Sequence, residues 1–287
     1  FGGMLGCLKL SILRLLRIIP NQDRYLEAHY ALQYWWGNGL LRGTFALMKL
    51  KLSVEGSEHL DRGPVLIFMR HVTLLDTLLP AACFGQPRTL RPRYLLKKEL
   101  LAEPSLDICG NRIPNVFVDR SGKHRETMLA EVETLASGIG ARDSVVLYPE
   151  GTRFTLAKQK RLREKLAASG QEEHLLQAKR LQNLLPVRVG GPAACFKAAP
   201  QADVIIVGHV GLEGAANFSD FLNGRVYNQT VHVRIWRTPQ SELPEGVDAR
   251  SAWLNERWEE LDAWIQGISS SETKSQESAV SGSNQSA

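Results

Sequence analysis

The 287-residue chain has few cysteines, and their positions exclude the structures that cysteines most often build. No two of them form a C-x-x-C pair, and none has a histidine at the spacing of zinc ligands; they are Cys7, Cys83, Cys109 and Cys195. A disulfide framework is therefore not indicated, and free thiols are expected. The same absence of clustered ligands leads us to predict no metal site.

Long uncharged apolar runs are also absent, since no segment reaches the 18 or more residues that a spanning helix needs. Residues 4–19 instead place apolar side chains on one helical arc and cations outside it. The arc holds Leu5, Leu8, Ile12, Leu15, Leu16 and Ile19, and the cations are Lys9, Arg14 and Arg17. This pattern is typical of a helix lying in a bilayer interface, the alternative being a helix packed on the protein's own core.

A second apolar segment, residues 30–50, carries adjacent aromatic residues and is interrupted by glycines and Arg42. Tyrosine and tryptophan favour bilayer interfaces, so the two N-terminal segments are expected to form a membrane-docking hairpin, unless the aromatic residues pack in the core.

Basic residues are scarce in the C-terminal part of the chain. Residues 241–287 carry nine acidic and three basic residues, a net charge of −6, which leaves +11 on the rest of the +5 chain. A basic body suits anionic lipid, an anionic substrate or nucleic acid. The chain lacks zinc-finger spacing and an aromatic RNP motif, so nucleic acid is not an expected partner.

From residue 64 onward, short β-rich runs alternate with helical segments. The predicted strands are PVLIFMR (64–70), YLLK (94–97), NVFVD (115–119), SVVLY (144–148), LLPVR (184–188), DVIIVGHV (203–210) and TVHVRIW (230–236). This alternation predicts an α/β fold with a mixed, partly parallel sheet covered by helices. We expect three parts: N-terminal amphipathic helices (1–50), a main domain (51–268), and a disordered tail (269–287) that is poor in aromatic and aliphatic residues.

Candidate chemistry begins directly after the first of these runs, where His71 and Asp76 are separated by four residues. The carboxylate could accept a hydrogen bond from one ring nitrogen, leaving the other to take a proton from a substrate hydroxyl. Thr73 and Asp76 also fit a capping box, so Asp76 could instead, or in addition, cap the following helix. Chance alone often produces this spacing in a chain of this length.

Further polar residues follow other predicted strands. Glu150, Gly151, Thr152 and Arg153 come after SVVLYP, where glycine permits an unusual turn and arginine offers a forked cation suited to phosphate. Lys97 and Arg120 lie at the ends of two more runs. Ligands bind at the carboxyl edge of open α/β sheets, so these residues are expected to meet there. A polar surface turn, or an ion pair for Arg120, is the simpler alternative for each alone.

Four blocks together resemble the glycerolipid acyltransferase family, which includes the 1-acylglycerol-3-phosphate acyltransferases. They are RHVTLLD (70–76), KKELLAEPSLDICGNRIPNVFVDR (97–120), YPEGTRFT (148–155) and LLPVRVGG (184–191), within a similarity that extends over 55–236. The basic stretch after the third block looks most like the branch with lysocardiolipin and lysophosphatidylinositol acyltransferases. The chain departs from the family at Arg70, where asparagine is usual, and at Asp107 and Pro114, where glycines are common.

The resemblance implies direct acyl transfer from acyl-CoA or acyl carrier protein to a lysophospholipid hydroxyl, without cofactor or covalent intermediate. Lysophosphatidic acid, giving phosphatidic acid, is the first expected acceptor; lysophosphatidylinositol, lysophosphatidylglycerol or lysocardiolipin is the alternative. His71 would be the general base and Asp76 its partner. The acceptor site would include Lys97, Arg120, Glu150, Gly151, Thr152 and Arg153.

The resemblance also implies contact with membrane lipids, at the cytoplasmic face of the inner membrane in a bacterium. A lipase or phosphoesterase is not favoured, because the chain has neither a G-x-S-x-G elbow nor an acidic metal cluster. A non-catalytic lipid-binding protein on the same scaffold is a further alternative, against which the presence of both His71 and Asp76 argues.

Overall fold

The computed structural model describes residues 2–73, 75–83, 90–118, 125–215 and 223–283. Within these ranges, seven strands form one sheet in the order β1-β7-β6-β2-β5-β3-β4. The strands are β1 (Lys51–Glu55), β2 (Val65–Met69), β3 (Arg91–Lys97), β4 (Val116–Val118), β5 (Asp143–Leu147), β6 (Asp203–Val210) and β7 (Thr230–Thr238). The run from β6 to β4 is parallel throughout, whereas β7 is antiparallel to β6 and β1 is parallel to β7. The prediction of a mixed, partly parallel sheet is confirmed.

Helices cover both faces of this sheet. They are α1 (Gly2–Leu15), α2 (Gln22–Met48), α3 (Leu79–Cys83), α4 (Pro104–Gly110), α5 (Arg125–Ala136), α6 (Leu156–Ala168), α7 (Glu172–Arg180), α8 (Gly190–Ala198) and α9 (Val247–Ser283). Strand β2 is buried along its length, with Leu66 and Phe68 facing one core and Ile67 and Met69 the other. Such a continuous apolar run is expected of a central parallel strand covered on both sides.

The structure differs from the sequence prediction at two strands. β1 was not predicted, because its burial is slight and its residues are mostly polar or exposed. The predicted strand LLPVR (184–188) is wrong, since this segment is irregular. Its backbone N–H groups form hydrogen bonds that are not part of the sheet. Leu185 N donates to Glu150 Oε2, and Arg188 N donates to Pro149 O. Pro186 has no N–H to donate.

The N-terminal segments form two packed helices. α2 continues through its glycines, and Gly37 is buried. On α1 the buried residues are Gly3 and Cys7, whereas the predicted apolar arc faces outward, with Leu5 and Leu15 exposed by 65% and 81%. The core-packing alternative for this arc is therefore wrong. None of the helices in the described ranges is long and apolar enough to span a bilayer.

The last helix, α9, continues to Ser283, beyond residue 269 where the sequence predicts a disordered tail. Its first half is anchored by buried Trp258, Leu261 and Ile265. A helix that is already anchored extends easily, because each further residue adds one backbone hydrogen bond and the unfavourable step of helix nucleation is not repeated. Ser269 and Ser270 also bond back to carbonyls one turn earlier. The main-domain limit at 268 stays a prediction.

Candidate functional site

The loop after β2 carries the first part of the site. His71 Nδ1 lies 2.9 Å from Asp76 Oδ1, and Asp76 Oδ2 accepts from the backbone N–H groups of Val72 (2.6 Å) and Thr73 (2.7 Å). Thr73 Oγ1 in turn accepts from the N–H of Asp76 (3.2 Å). These reciprocal bonds form the predicted capping box at the start of a 3-10 turn, Leu75–Leu78.

The same contacts show which nitrogen of the His71 ring faces the carboxylate. Burial raises the pKa of Asp76, but the hydrogen bond from His71 and the nearby rings of His209 and His71 outweigh it, and the net pKa is lowered. An ionised carboxylate can only accept hydrogen bonds, so Nδ1 of His71 carries the hydrogen and donates it to Asp76 Oδ1. The His71 side chain is 17% exposed, whereas Asp76 is completely buried.

A second histidine lies behind Asp76. His209, on β6, is completely buried; its Nε2 is 3.2 Å from the carbonyl oxygen of Arg70 and 3.6 Å from Asp76 Oδ2. A carbonyl only accepts, so this Nε2 carries the hydrogen and presents it to the carboxylate as well. Burial lowers the pKa of His209, which favours the neutral ring, while Asp76 partly offsets that shift.

Arg70, at the position where asparagine is usual in the resembled family, is also buried. Its guanidinium donates to the backbone oxygens of His209 and Asn183 and forms an ion pair with Glu213 (2.5 Å). A buried cation is stable only with such partners. Arg70 thus ties the β2 loop to the end of β6, beneath His71.

Glu150 connects this loop to the turn after β5. Its Oε1 accepts from the N–H of His71 (3.0 Å) and its Oε2 from that of Leu185 (2.9 Å). Burial raises the pKa of Glu150 to about 8, although the two amides and Arg70 act in the opposite direction. A further bond from Phe154 N to His71 O (2.7 Å) fixes the backbone of the histidine to the same turn.

The turn itself is surrounded by cations. Gly151 has φ +68°, a conformation that favours glycine, and a Cβ at this position would lie 2.7 Å from Cδ of Arg188, so that side chain would have to shift. Lys158 donates to Thr152 Oγ1 and Arg153 O, both at 2.8 Å. Partial burial and repulsion from Arg153, Lys97 and Arg188 lower the pKa of Lys158. These four residues, the cation cluster, are exposed and suit an anionic group.

The structure therefore brings together most of the predicted site residues at the carboxyl edge of the parallel strands. His71 and Asp76 follow β2, Lys97 ends β3, and residues 150–153 follow β5. Arg120 lies outside the described residues. Sequence reasoning missed His209, Lys158, Arg188 and the buried partners of Arg70. The basic stretch after residue 155 was a signal for Lys158, whereas nothing local distinguishes His209 within an apolar strand.

Within the described residues, no group of histidine, cysteine and acidic side chains is arranged to hold a metal ion. The arrangement that is present is a histidine with a free ring nitrogen, held by a buried carboxylate, beside an exposed cation cluster. It can take a proton from a hydroxyl and hold an anionic group nearby.

Comparisons with known proteins bear on the family and the fold of the chain. A family model described as Acyltransferase matches residues 51–207. Among solved structures, the chain resembles the 1-acyl-sn-glycerophosphate (LPA) acyltransferase PlsC from Thermotoga maritima, with a TM-score of 0.53 and 11% identity over 93% of this chain and 97% of that one. At this identity the likeness concerns the fold alone. The comparison with curated proteins gave no match.

Proposed function

Since the chain belongs to the acyltransferase family, we propose that it transfers a fatty acyl group from acyl-CoA or acyl carrier protein to the hydroxyl of a lysophospholipid. Lysophosphatidic acid is the proposed acceptor, because the Thermotoga maritima protein with the similar fold is named as an acyltransferase for it. A larger lysophospholipid, such as lysophosphatidylinositol, lysophosphatidylglycerol or lysocardiolipin, is the alternative acceptor.

The observation that carries this proposal is the His71–Asp76 pair, in which Nδ1 lies 2.9 Å from the carboxylate and Nε2 has no hydrogen-bond partner among the described residues. In the proposed reaction, Nε2 takes the proton of the acceptor hydroxyl as its oxygen attacks the thioester carbonyl. The thiolate then leaves and receives that proton from the imidazolium. Asp76 stabilises the imidazolium between these steps, so no covalent enzyme intermediate is required.

The cation cluster supports an acceptor that carries phosphate. Lys97, Arg153, Lys158 and Arg188 together place four positive charges around a turn that is joined to His71 by Glu150 and Phe154. A phosphate monoester carries close to two negative charges at neutral pH, more than a phosphodiester. This concentration of charge favours lysophosphatidic acid over the larger lysophospholipids.

The surface of α1 supports a membrane location for the reaction. Leu5, Leu8, Ile12 and Leu15 are exposed along one side of the helix, and Lys9 is exposed beside them. An apolar strip with neighbouring cations binds anionic bilayer surfaces. We propose that α1 lies in the bilayer interface, where acceptor and product both reside, at the cytoplasmic face if the protein is bacterial.

The test is an acyl-transfer assay with purified protein, labelled acyl-CoA or acyl carrier protein, and the four lysophospholipids named above. Replacement of His71 by Ala is expected to lower turnover by at least 10²-fold, the usual contribution of a general base, with folding preserved. His174, an exposed histidine on α7, provides the control, and His174→Ala should keep full activity. Undiminished turnover by His71→Ala would exclude the mechanism, and no transfer to any acceptor by the unsubstituted chain would exclude the function.

A further inference from the structure

Two cysteines far apart in the sequence meet where α1 packs on the main domain. Cys7 Sγ, on α1, lies 2.7 Å from Cys109 Sγ, on α4, although 102 positions separate them in the chain. Both are free thiols. Bonded sulfurs lie about 2.05 Å apart, so the pair would close with a shift of about 0.7 Å. We propose that Cys7 and Cys109 are a site of disulfide formation, which joins α1 covalently to α4 under oxidising conditions.

The surrounding contacts hold both sulfurs in place. Cys109 Sγ donates to the carbonyl oxygen of Gly3 (3.3 Å), within the first turn of α1. Arg112, just after α4, donates to the carbonyl oxygen of Cys7 (3.3 Å) and to Ser11 Oγ (2.5 Å). These contacts fix the relative position of the two helices before any bond forms. The second thiol therefore acts at a high effective concentration, which favours an internal disulfide over a mixed one.

The reaction needs an oxidant, for which a small-molecule disulfide such as oxidised glutathione suffices. Cys109 is the more accessible thiol, and its thiolate attacks one sulfur of the oxidant, releasing one equivalent of small thiol. The Cys7 thiolate then attacks Cys109 Sγ in the mixed disulfide and releases the second equivalent. The protein loses two hydrogen atoms, both cysteines are oxidised, and the small disulfide is reduced to two thiols.

Burial affects the rate of this reaction. It raises the pKa of Cys109 to about 12, helped by the neighbouring Cys7, so little thiolate is present at neutral pH. Only the thiolate attacks a disulfide. Formation is thus expected to be slow near pH 7 and roughly thirtyfold faster at pH 8.5, because well below its pKa the thiolate fraction rises tenfold per pH unit. Burial of Cys7 should equally protect the finished bond from external reductants.

The experiment is a peptide map of the full chain after incubation with oxidised glutathione. Remaining thiols are alkylated in denaturant, and the protein is digested with trypsin without reductant. The expected product is peptide 1–9, which contains Cys7, joined to peptide 99–112, which contains Cys109. Dithiothreitol should separate the two. The intact mass should fall by two hydrogen atoms relative to the reduced chain.

Two other cysteines provide matched controls. Cys195→Ser and Cys83→Ser are expected to leave the linked pair unchanged, whereas Cys109→Ser should abolish it. The map of the unsubstituted chain is decisive by itself, even if a variant fails to fold. Alkylation of both Cys7 and Cys109 after prolonged oxidation at pH 8.5, a stable glutathione adduct on Cys109, or peptide 1–9 joined to another cysteine peptide would each overturn the proposal.

Discussion

One buried carboxylate, that of Asp76, organises both the loop after β2 and the proposed chemistry. Its Oδ2 closes the capping box with Val72 and Thr73, and its Oδ1 selects the tautomer of His71. His209 supplies a neutral N–H on the buried side, where a second charge would be costly. Asp76 therefore caps the 3-10 turn, and the same geometry is compatible with its proposed role beside His71.

Glu150 leads to a prediction about pH. Its pKa is about 8 in the folded protein and near 4.5 when unfolded, so between these values the folded chain binds more protons. The unfolding free energy must then fall as pH rises through this window, by at most about 1.4 kcal/mol per pH unit. The lowered pKa of His209 acts in the opposite direction only below pH 6.5.

Urea denaturation at pH 6.5 and at pH 8 would measure the effect. We expect the unsubstituted chain to be less stable at pH 8 and Glu150→Gln to show a smaller difference between the two. Glu133→Gln removes a surface carboxylate that pairs with Lys197, and should keep the full difference. Equal pH dependence in all three proteins would contradict the assigned pKa.

Lys158 allows a test of the cation cluster. Lys158→Ala is expected to raise KM for a phosphorylated acceptor about five- to twentyfold and to change kcat little, because the residue contacts the turn and not His71. Steady-state kinetics over a range of lysophosphatidic acid concentrations would measure this. Lys160, also exposed but paired with Glu164 on α6, is the matched control. An equal change in KM for Lys160→Ala would argue for a general effect of charge.

At the scale of elements, α1 illustrates a helix whose apolar side is not used by the fold. Its contacts with the rest of the chain run through Gly3, Cys7 and Ser11, which are small residues that allow close packing. Leu5, Leu8, Ile12 and Leu15 point outward on the other side. The helix is held to the protein by one side and left available to a bilayer on the other.

Three substitutions on this surface give the corresponding prediction. Replacing Leu5, Leu8 and Leu15 together by Ser should lower partition onto anionic vesicles by at least about tenfold, since each buried leucine contributes on the order of 1 kcal/mol or more. Co-sedimentation with phosphatidylglycerol vesicles would measure it. Leu176, on α7, is 60% exposed, and Leu176→Ser is the control expected to bind normally. Unchanged sedimentation of the triple variant would refute the proposed docking.

At the scale of the whole molecule, the topology assembles the site. β2, β5, β3 and β6 are parallel, so the loops that follow them open at the same edge of the sheet. Those loops bring together His71, the turn at 150–153, Lys97 and Glu213. Buried partners, above all Glu150 and Arg70, then fix one loop against the next.

The extent of the folded unit can be tested by truncation. Ending the chain after residue 268 keeps the buried anchors of α9 and should change Tm by no more than about 2 °C. Ending it after residue 257 removes Trp258, Leu261 and Ile265, which are at most 1% exposed, and with Trp258 its bond to Leu185 O. Losing a buried tryptophan alone costs about 3–5 kcal/mol, so this shorter chain should not fold. Thermal melts followed by circular dichroism would compare the two. A large loss of Tm at 268 would mean that the domain extends further.

Much of the fold and part of the site followed from the sequence. Apolar runs such as VLIFM and DVIIVGHV predict buried strands because the signal lies in the residues of the run itself and does not depend on which segments pack beside it. The capping box of Thr73 and Asp76 is likewise local. By contrast, β1 takes its place through pairing with β7 and the packing of Val54 on the core, and LLPVR is kept out of the sheet by Glu150 and Pro149. No local pattern reveals these contacts.

The sequence by itself determined the α/β class, the His71–Asp76 spacing and the EGTR turn, because each depends on residues close together in the chain. Only the tertiary structure decided which distant residues meet. His209 contacts Asp76, Arg188 lies against Gly151, and Cys7 contacts Cys109. Strand order and helix packing bring these pairs together. Such contacts join residues that are from 37 to 133 positions apart, and their sequence signal is no different from that of any buried or surface residue.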